Sequence, residues 1–264
     1  MRSIKGLLID LDGVLVKGKE MNPFSDAPDF IVFLRDRNIA FRIVTNNSMK
    51  TPSGIARSLK ENGIPVFDEE IISPMAICPR VFNEQRIEKV FVMGTEGLKE
   101  NLAAMGFSIK IDATVDAVLV AQDRTLGFEE TKTAITAIKK YGAKLFAMND
   151  NRIILDDDGM LFAGAGAICR LLIYATDYSG HFVHFGKMGE LYNQALFEQF
   201  HQEKEALAII SDDLYTDIKG FQEEGLKGIF LTTGKYGKED IAGDIRPDVV
   251  LDSLTELVAF LKSS

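Results

Sequence analysis

The sequence is poor in cysteine, in basic charge and in long apolar runs, and each shortage excludes a class of protein. Its 264 residues include only 2 cysteines, Cys78 and Cys169, which excludes a disulfide framework and a CxxC metal or redox pair. With 30 basic and 39 acidic side chains the net charge is −9, which opposes binding to nucleic acid or to an anionic membrane. No apolar run approaches the roughly 18 residues of a membrane helix, and no signal-peptide core is present, so a cytoplasmic location is expected.

What the chain does contain is an alternation of short apolar runs with helical patterns, which is typical of a parallel sheet with crossover helices. Apolar residues at 6–9 and 40–44 predict strands, and the helical spacing at 27–37 predicts the helix between them. The C-terminal third repeats the scheme, with predicted strands at 206–211 and 227–231. We therefore expect an α/β protein with a Rossmann-like parallel-sheet core.

The middle of the chain has its own complement of elements. Apolar runs at 90–93, 117–121 and 144–148 predict strands, and an amphipathic pattern at 128–141 predicts a long helix. About ninety residues with this much periodicity are enough for a separate domain. We expect a discontinuous core domain of residues 1–87 and 182–264, with an α/β cap domain inserted at residues 88–181.

Polar residues able to do chemistry follow the carboxyl ends of predicted strands. In an open parallel α/β sheet those ends share one edge, so residues far apart in sequence are expected to meet in a single crevice. The residues are Asp10 and Asp12 after strand 6–9, Thr45, Asn46 and Asn47 after strand 40–44, Lys187 after strand 184–186, and Asp212 and Asp213 after strand 207–211.

Electrostatics indicates what else such a crevice would hold. Two carboxylates about 4 Å apart repel by roughly 4 kcal/mol at an effective dielectric constant near 20, so several of them raise a pKa or require a cation. Oxygen ligands in small number suit Mg²⁺, which keeps several waters and shares its coordination with substrate phosphate. With Lys187 and Thr45 opposite the carboxylates, the crevice would accept a small phosphorylated metabolite.

The quoted segments also resemble a known family. Asp10-Leu11-Asp12-Gly13-Val14, Thr45-Asn46-Asn47-Ser48, Gly186-Lys187, and Ser211-Asp212-Asp213 with Thr216-Asp217-Ile218 resemble the four ordered motifs of the haloacid dehalogenase superfamily. Their order and spacing are similar to its NagD-like branch of 4-nitrophenylphosphatases and sugar phosphatases, which carries a type IIA cap. The resemblance spans essentially the whole chain. It departs from the family pattern at Ser211, where glycine is usual, and at Met188, where proline is common.

The resemblance implies a role for each matching residue. Asp10 would be the nucleophile that forms an aspartyl-phosphate, and Asp12 would be the general acid and base. Thr45, Asn46, Asn47 and Lys187 would bind the phosphoryl group. The Asp10 carboxylate, the Asp12 main-chain carbonyl and Asp212 would bind Mg²⁺, with Asp213 and Asp217 behind them and Asp217 holding a metal-bound water. A homodimer formed through the cap is also implied.

Several hypotheses remain open on these residues. The leading one is a magnesium-dependent phosphatase acting on a small phosphomonoester. A phosphotransferase or mutase would share the covalent intermediate, and a non-catalytic phospho-ligand sensor would share the fold, although mere binding has no use for Asp12 as a proton shuttle. An aspartate after a strand is often only a turn or cap residue, so the assignment depends on all four motifs together. In the cap, Asp123, Asn149 and Asp150 are the candidates for substrate selection.

Overall fold

The computed structural model describes residues 4–18, 20–155 and 158–263. The strands are β1 (Gly6–Asp10), β2 (Val16–Lys17), β3 (Asn22–Pro23), β4 (Ala40–Val44), β5 (Ile71–Ile72), β6 (Lys89–Met93), β7 (Ser108–Ile109), β8 (Ala117–Val120), β9 (Lys144–Ala147), β10 (Ile153–Leu155), β11 (Leu161–Ala163), β12 (Val183–His184), β13 (Leu207–Ser211), β14 (Lys227–Leu231) and β15 (Val249–Leu251). The α-helices are α1 (Ala27–Asp36), α2 (Pro52–Glu61), α3 (Pro74–Glu84), α4 (Glu96–Ala104), α5 (Phe128–Tyr141), α6 (Ala165–Thr176), α7 (Glu190–Phe197), α8 (Gly220–Glu223) and α9 (Leu254–Ser263). A π-helical segment, Leu214–Lys219, leads directly into α8.

The described residues form two compact units. The first unit contains the residues up to 45, residues 52–72 and the residues from 194 on, and the second contains residues 46–51 and 73–193. These bounds are not those of the predicted domains, because residues 73–87 and 182–193 group with the second unit. The predicted domain bounds at 87/88 and 181/182 therefore stay a prediction.

The first unit is built on a six-stranded sheet in the order β15-β14-β13-β1-β4-β5, in which every neighbouring pair is parallel. β1 lies in the middle and all five of its residues are buried. A strand covered on both faces must be apolar throughout, which explains the continuous run Gly6-Leu7-Leu8-Ile9. Its side chains pack into a core with residues of α1, α2, α9 and the neighbouring strands.

The second unit has a parallel sheet of its own, in the order β12-β9-β8-β6-β7. α5 and α6 pack on β8 and β9 and supply Ala134, Ile138 and Leu172 to its core. A cluster of aromatic rings adds to it, with Phe82 edge-on to Phe146 and to Phe185. α5 ends at Gly142, whose φ of 71° is the left-handed conformation that glycine adopts without strain.

Most of the predicted elements are confirmed. The predicted strand 40–44 coincides with β4, and the predicted helices 27–37 and 128–141 correspond to α1 and α5. One expectation is wrong: the strand before Lys187 does not belong to the sheet of β1, because Val183 and His184 pair with Phe146 and Ala147 of β9 in the second unit. Two-residue strands such as β12 carry too short a pattern to reveal which sheet they join.

Within the described part of the chain, none of the helices has both the length and the apolar content needed to cross a bilayer.

His184 gives the second unit a testable dependence on pH. Its Nδ1 atom is buried and has no hydrogen-bond partner among the described residues. Burial lowers the pKa of His184 below its usual value; the nearby Asp150 carboxylate acts to raise this pKa and Arg170 to lower it. Folding therefore favours the neutral ring, whereas the unfolded chain takes up a proton below a pH of about 6.5.

We expect the wild-type protein to lose more stability than His184→Gln as the pH falls from 7 to 5, because only the wild type must keep this ring neutral or protonate it at a cost. Urea unfolding midpoints of both proteins across this range measure the difference, with pH 8 as the reference where the ring is neutral in both states. Parallel curves for the two proteins would contradict the prediction.

Candidate active site

Asp10 is the last residue of β1 and lies at the carboxyl end of the central strand of the first unit. The side chain is only 7% exposed. Its Oδ1 atom accepts a hydrogen bond from the backbone N–H of Leu11 at 2.7 Å. Its Oδ2 atom lies 3.1 Å from the hydroxyl oxygen of Ser211, the last residue of the neighbouring strand β13. Each carboxylate oxygen of Asp10 is thus held by a neighbouring polar group.

Asp212 follows β13 and is held by two loops. Its Oδ2 atom accepts the backbone N–H of Lys235 at 2.6 Å, in the loop after β14. A Cβ atom added to Gly13 or to Gly234 would overlap this carboxylate, so both glycines are places where the backbone approaches it closely. The Thr233 hydroxyl donates to the Gly13 carbonyl and ties the same two loops together. These contacts with Gly13, Gly234 and Lys235, called the Asp212 seat below, fix Asp212 beside the loop that carries Asp12.

Asp12 differs from these carboxylates in being exposed. It lies in the tight turn after β1, where Gly13, at φ 80°, donates its N–H to the Val16 carbonyl at 2.8 Å. Asp12 also forms an isolated bridge with Val16. The side chain of Asp12 therefore reaches solvent while its backbone is fixed, which suits a group that exchanges protons.

Asp213 and Asp217 follow Asp212 in the chain and have different partners. Asp213 caps the π-helical segment by accepting the N–H groups of Tyr215 and Thr216 at 3.0 and 2.9 Å. Asp217 is 1% exposed, and its Oδ2 atom accepts the Ser211 hydroxyl at 2.7 Å.

Lys235 contacts the same region through its side chain, with its Nζ atom 2.8 Å from Asp213 Oδ2. Partial desolvation opposes the charged ammonium, but the hydrogen bond to Asp213 and its negative charge, together with Tyr236, raise the pKa of Lys235 above its usual value. Lys235 stays protonated and adds a positive charge beside the acidic residues.

The segment Thr45-Asn46-Asn47 is divided between the two units. Thr45 is fully buried in the first unit, where its N–H donates to the Ile72 carbonyl at 3.1 Å. Asn46 belongs to the second unit, and its Oδ1 atom accepts the backbone N–H of Lys187 at 2.7 Å. Asn47 closes a local turn by accepting the N–H groups of Met49 and Lys50. The structure thus brings Asn46 and Lys187 together within one unit.

Lys187 is 7% exposed, and it is followed by Met188, whose φ of 66° is left-handed. Proline, whose φ is fixed at about −65°, cannot adopt this angle. The backbone at Met188 therefore differs from the one that the proline common in the family would impose. Such angles are unfavourable in non-glycine residues and persist only where the surroundings impose them.

The cap candidates are also in the second unit. Asn149 is buried, and a Cβ atom on Gly186 would come within 2.8 Å of its Cβ and 2.5 Å of Asn46 Oδ1. Asp150 forms a bidentate pair with the Arg170 guanidinium, whose pKa this contact raises. Asp123 turns back on its own loop and accepts both the N–H and the hydroxyl of Thr125.

The carboxylates of the first unit offer oxygen donors, which suit a divalent cation such as Mg²⁺. Over residues 4–18, 20–155 and 158–263, no three His, Cys, Asp or Glu side chains come together as a metal cluster. The seat around Asp212 is the feature of the first unit that such an ion would use.

Sequence reasoning missed the loop after β14. Thr233, Gly234 and Lys235 contact Gly13, Asp212 and Asp213, yet none was a candidate. The rule that found the other groups applies here too, because polar residues follow an apolar strand at the same edge of the sheet. The hydroxyl of Ser211 was noted only as a departure from a family pattern.

Comparison with known proteins gives a consistent result. The family model described as haloacid dehalogenase-like hydrolase matches residues 7–108, and the one described as HAD-hydrolase-like matches residues 184–257. The chain is 31% identical to the acid sugar phosphatase of Staphylococcus saprophyticus and 27% identical to the 5′-nucleotidase YutF of Bacillus subtilis, each over 99% of this chain and 100% of the relative. The solved structure of the 4-nitrophenylphosphatase from Thermotoga maritima superposes with a TM-score of 0.82 at 26% identity, covering 97% of both chains.

Gly234→Ala tests the seat of Asp212. The backbone at Gly234 is not left-handed, so alanine changes little except for adding a Cβ atom that overlaps the Asp212 carboxylate. We expect Mg²⁺ at about 10 mM to raise the thermal midpoint of the wild type, by the usual linkage of ligand binding to stability, and to have little effect on Gly234→Ala.

The matched control is Gly97→Ala in α4, where an added Cβ atom meets nothing within 4 Å. Differential scanning fluorimetry with and without Mg²⁺ makes the comparison. An undiminished Mg²⁺ shift in Gly234→Ala would show that Asp212 does not need this seat to bind the ion.

Proposed function

This chain belongs to the haloacid dehalogenase superfamily and is a phosphatase of its NagD-like branch, and from that premise we propose that it hydrolyses a small phosphomonoester with Mg²⁺ through an aspartyl-phosphate on Asp10. The observation that carries the proposal is the environment of Asp10. Its carboxylate ends the central strand, is almost fully buried and has a neighbouring polar group at each oxygen. A nucleophile needs this fixed orientation, because the reacting atoms must stay about 3–3.5 Å apart.

In the first half of the proposed reaction, an oxygen of Asp10 attacks the phosphorus atom and the bond from phosphorus to the substrate oxygen breaks. Asp12 donates a proton to that leaving oxygen, which departs as an alcohol. The exposed position of Asp12 supports this role, since the group must later exchange its proton with solvent.

In the second half, Asp12 takes a proton from a water molecule as that water attacks the phosphorus of the aspartyl-phosphate. The bond between phosphorus and the Asp10 oxygen breaks, so inorganic phosphate leaves and the Asp10 carboxylate is restored. Asp12 then carries the proton needed for the next cycle.

The remaining residues bind charge and position it. Mg²⁺, when bound by Asp10, Asp212 and the Asp12 carbonyl, supplies positive charge that stabilises the transferring phosphoryl group. The Thr45 hydroxyl donates a hydrogen bond to a phosphoryl oxygen. Lys187 neutralises negative charge on the phosphoryl group, and Asn46 Oδ1 accepts the backbone N–H of Lys187. Asn47 supports the turn beside Asn46, and Asp213 and Asp217 support the loop that carries Asp212.

A small phosphomonoester is the substrate class shared by the relatives, which are named for sugar phosphates, for a 5′-nucleotide and for 4-nitrophenyl phosphate. We propose that the chain acts in the cytoplasm, where such metabolites occur and where its two free cysteines, Cys78 and Cys169, would stay reduced.

The test of this function is phosphate release from 4-nitrophenyl phosphate with and without Mg²⁺. We expect Asp10→Asn to be inactive, because the amide cannot form the acyl-phosphate, and Asp12→Asn to lose roughly 10²–10⁴-fold in kcat, the usual range for a positioned acid–base group. Asp36→Asn, an exposed carboxylate at the end of α1, is the control and should keep full activity.

Full turnover by Asp10→Asn would end the nucleophile assignment. Adding an acceptor alcohol and analysing the products distinguishes hydrolysis from transfer: free phosphate as the sole product supports a hydrolase, whereas a new phosphoester indicates a phosphotransferase.

We also propose that two copies pair through the second unit. The hairpin β10–β11 and the helix α6, which contacts β11, leave large apolar side chains exposed, and Tyr174 is 89% exposed. Large apolar side chains exposed in this number on neighbouring elements are typical of an interface. Its exposed members are Ile153, Met160, Leu161, Leu171 and Tyr174.

Light scattering after size-exclusion chromatography tests the pairing. We expect a dimer for the wild type and a monomer for the double variant Leu171→Glu with Tyr174→Glu, because two carboxylates would be buried in the interface. Ile111→Glu is the control, since Ile111 is 92% exposed but follows β7 at the opposite edge of this sheet from β12. A monomeric wild type at all concentrations would rule out the dimer.

A further inference from the structure

Ser211 occupies a position between two buried carboxylates of the first unit. It is the last residue of β13 and has no exposed surface. Its hydroxyl oxygen lies 2.7 Å from Asp217 Oδ2 and 3.1 Å from Asp10 Oδ2. The same oxygen accepts the backbone N–H of Asp213 at 3.0 Å. Ser211 therefore links the proposed nucleophile to the acidic residues that follow β13.

The strand register explains why these groups meet. β1 and β13 are parallel and pair Ile9 with Ile210, so Asp10 and Ser211 are the next residues along each strand. Asp217 then returns to the same place because the π-helical segment begins right after Asp213. A residue without a side chain at position 211 would leave both carboxylates without this contact.

The Ser211 hydroxyl can donate a hydrogen bond to either carboxylate, but not to both at once. A serine hydroxyl has one proton and can rotate, so it donates to one acceptor at a time. The 2.7 Å contact with Asp217 matches the usual O–H···O distance, and the 3.1 Å contact with Asp10 is slightly longer than usual. Both acceptors lie within reach of a rotation about the Cβ–Oγ bond.

We propose that Ser211 is a positioning residue for Asp10, which deepens the proposed function and rests on Asp10 being the nucleophile. Before attack, the hydroxyl restrains Asp10 Oδ2 and so fixes the plane of the carboxylate. When Asp10 becomes an acyl-phosphate, the oxygen facing Ser211 loses its negative charge and accepts hydrogen bonds less strongly. The hydroxyl then donates to Asp217 alone. Its proton stays on Oγ throughout, and no bond of Ser211 forms or breaks.

Loss of the Ser211 hydroxyl should slow the first half of the reaction, in which the aspartyl-phosphate forms. Removing the hydroxyl takes away one of the contacts that restrain the carboxylate, so fewer Asp10 side chains are aligned for attack. Hydrolysis of the acyl-phosphate does not need this alignment, because Asp10 is by then held through its bond to phosphorus. Loss of the hydroxyl should therefore lower the fraction of enzyme present as phosphoenzyme during turnover, as well as kcat.

The experiment compares Ser211→Ala, Ser211→Gly and Ser211→Thr with the wild type on 4-nitrophenyl phosphate. We expect about a 10-fold loss of kcat in the alanine and glycine variants, the size typical of losing a hydrogen bond to a charged group, with inhibition by inorganic phosphate unchanged. Ser211→Thr keeps the hydroxyl and should recover most of the lost rate. Rapid acid quenching should detect less phosphoenzyme in the alanine and glycine variants.

Ser73→Ala is the matched control, because Ser73 is also fully buried but its hydroxyl has no hydrogen-bond partner within the described ranges. Its kcat should equal that of the wild type. Thermal unfolding of each metal-free variant confirms that the comparison is made on folded protein. If Ser211→Ala lowers stability, Ser211→Gly provides a second variant that lacks the hydroxyl.

The outcomes separate this inference from the function on which it rests. Wild-type kcat and phosphoenzyme levels in both Ser211→Ala and Ser211→Gly, with Asp10→Asn inactive, would overturn the role of Ser211 and leave the function intact. A uniform loss of stability with unchanged kcat would assign Ser211 to structure alone and would also overturn the proposal. An active Asp10→Asn would instead overturn the nucleophile assignment itself.

Discussion

The register of β1 between β13 and β4 is the constraint on which the rest of the first unit depends. It pairs Ile9 with Ile210 and Asp10 with Val44, so Asp10, Ser211 and Thr45 come at the same end of adjacent strands. Because successive side chains of a strand point to opposite faces, a slip of one residue in β13 would turn Ser211 away from Asp10. The apolar residues that bury both faces of β1 hold this register. The chemistry at the strand ends is therefore positioned by residues that take no part in it.

Burying several carboxylates together is unfavourable, and the first unit offsets it with specific contacts. Asp10, Asp212 and Asp217 are each less than a tenth exposed, and an unpaired buried charge would be strongly destabilising. Their donors include the Leu11 backbone N–H for Asp10, the Lys235 backbone N–H for Asp212 and the Ser211 hydroxyl for Asp217. These hydrogen bonds orient the carboxylates. A divalent cation would add positive charge beside these acidic residues.

The second unit contributes residues through a sheet of its own. Lys187 follows β12, which pairs with β9, and its backbone is held by Asn46. Asn149, the Asp150–Arg170 pair and His184 belong to the same unit, so Lys187 and the residues expected to select the substrate share one scaffold, whereas Thr45 belongs to the first unit. Thr45 and Asn46 are consecutive in sequence yet belong to different units. Thr45 bonds to Ile72 within the first unit, and Asn46 bonds to Lys187 within the second.

Local patterns in the sequence were sufficient for the elements of the core. The apolar run of β1, the mainly apolar segment of β4 and the stripe of α5 appear where they were expected, because each depends on a pattern within a few residues. The polar residues at strand ends were also identifiable, since parallel strands align their carboxyl ends.

By itself the sequence determined the fold class through its alternation of strand and helix patterns, and the family through the resemblance of its ordered motifs; the acidic residues that it singled out are candidates on the same ground. Only the tertiary structure decided that the strand before Lys187 joins a second sheet, that Gly13 and Gly234 enclose Asp212, and that the Ser211 hydroxyl lies between Asp10 and Asp217. Each of these depends on residues brought together by strand pairing over long sequence separations. No local pattern encodes such a distance, since it results from the packing of the whole sheet.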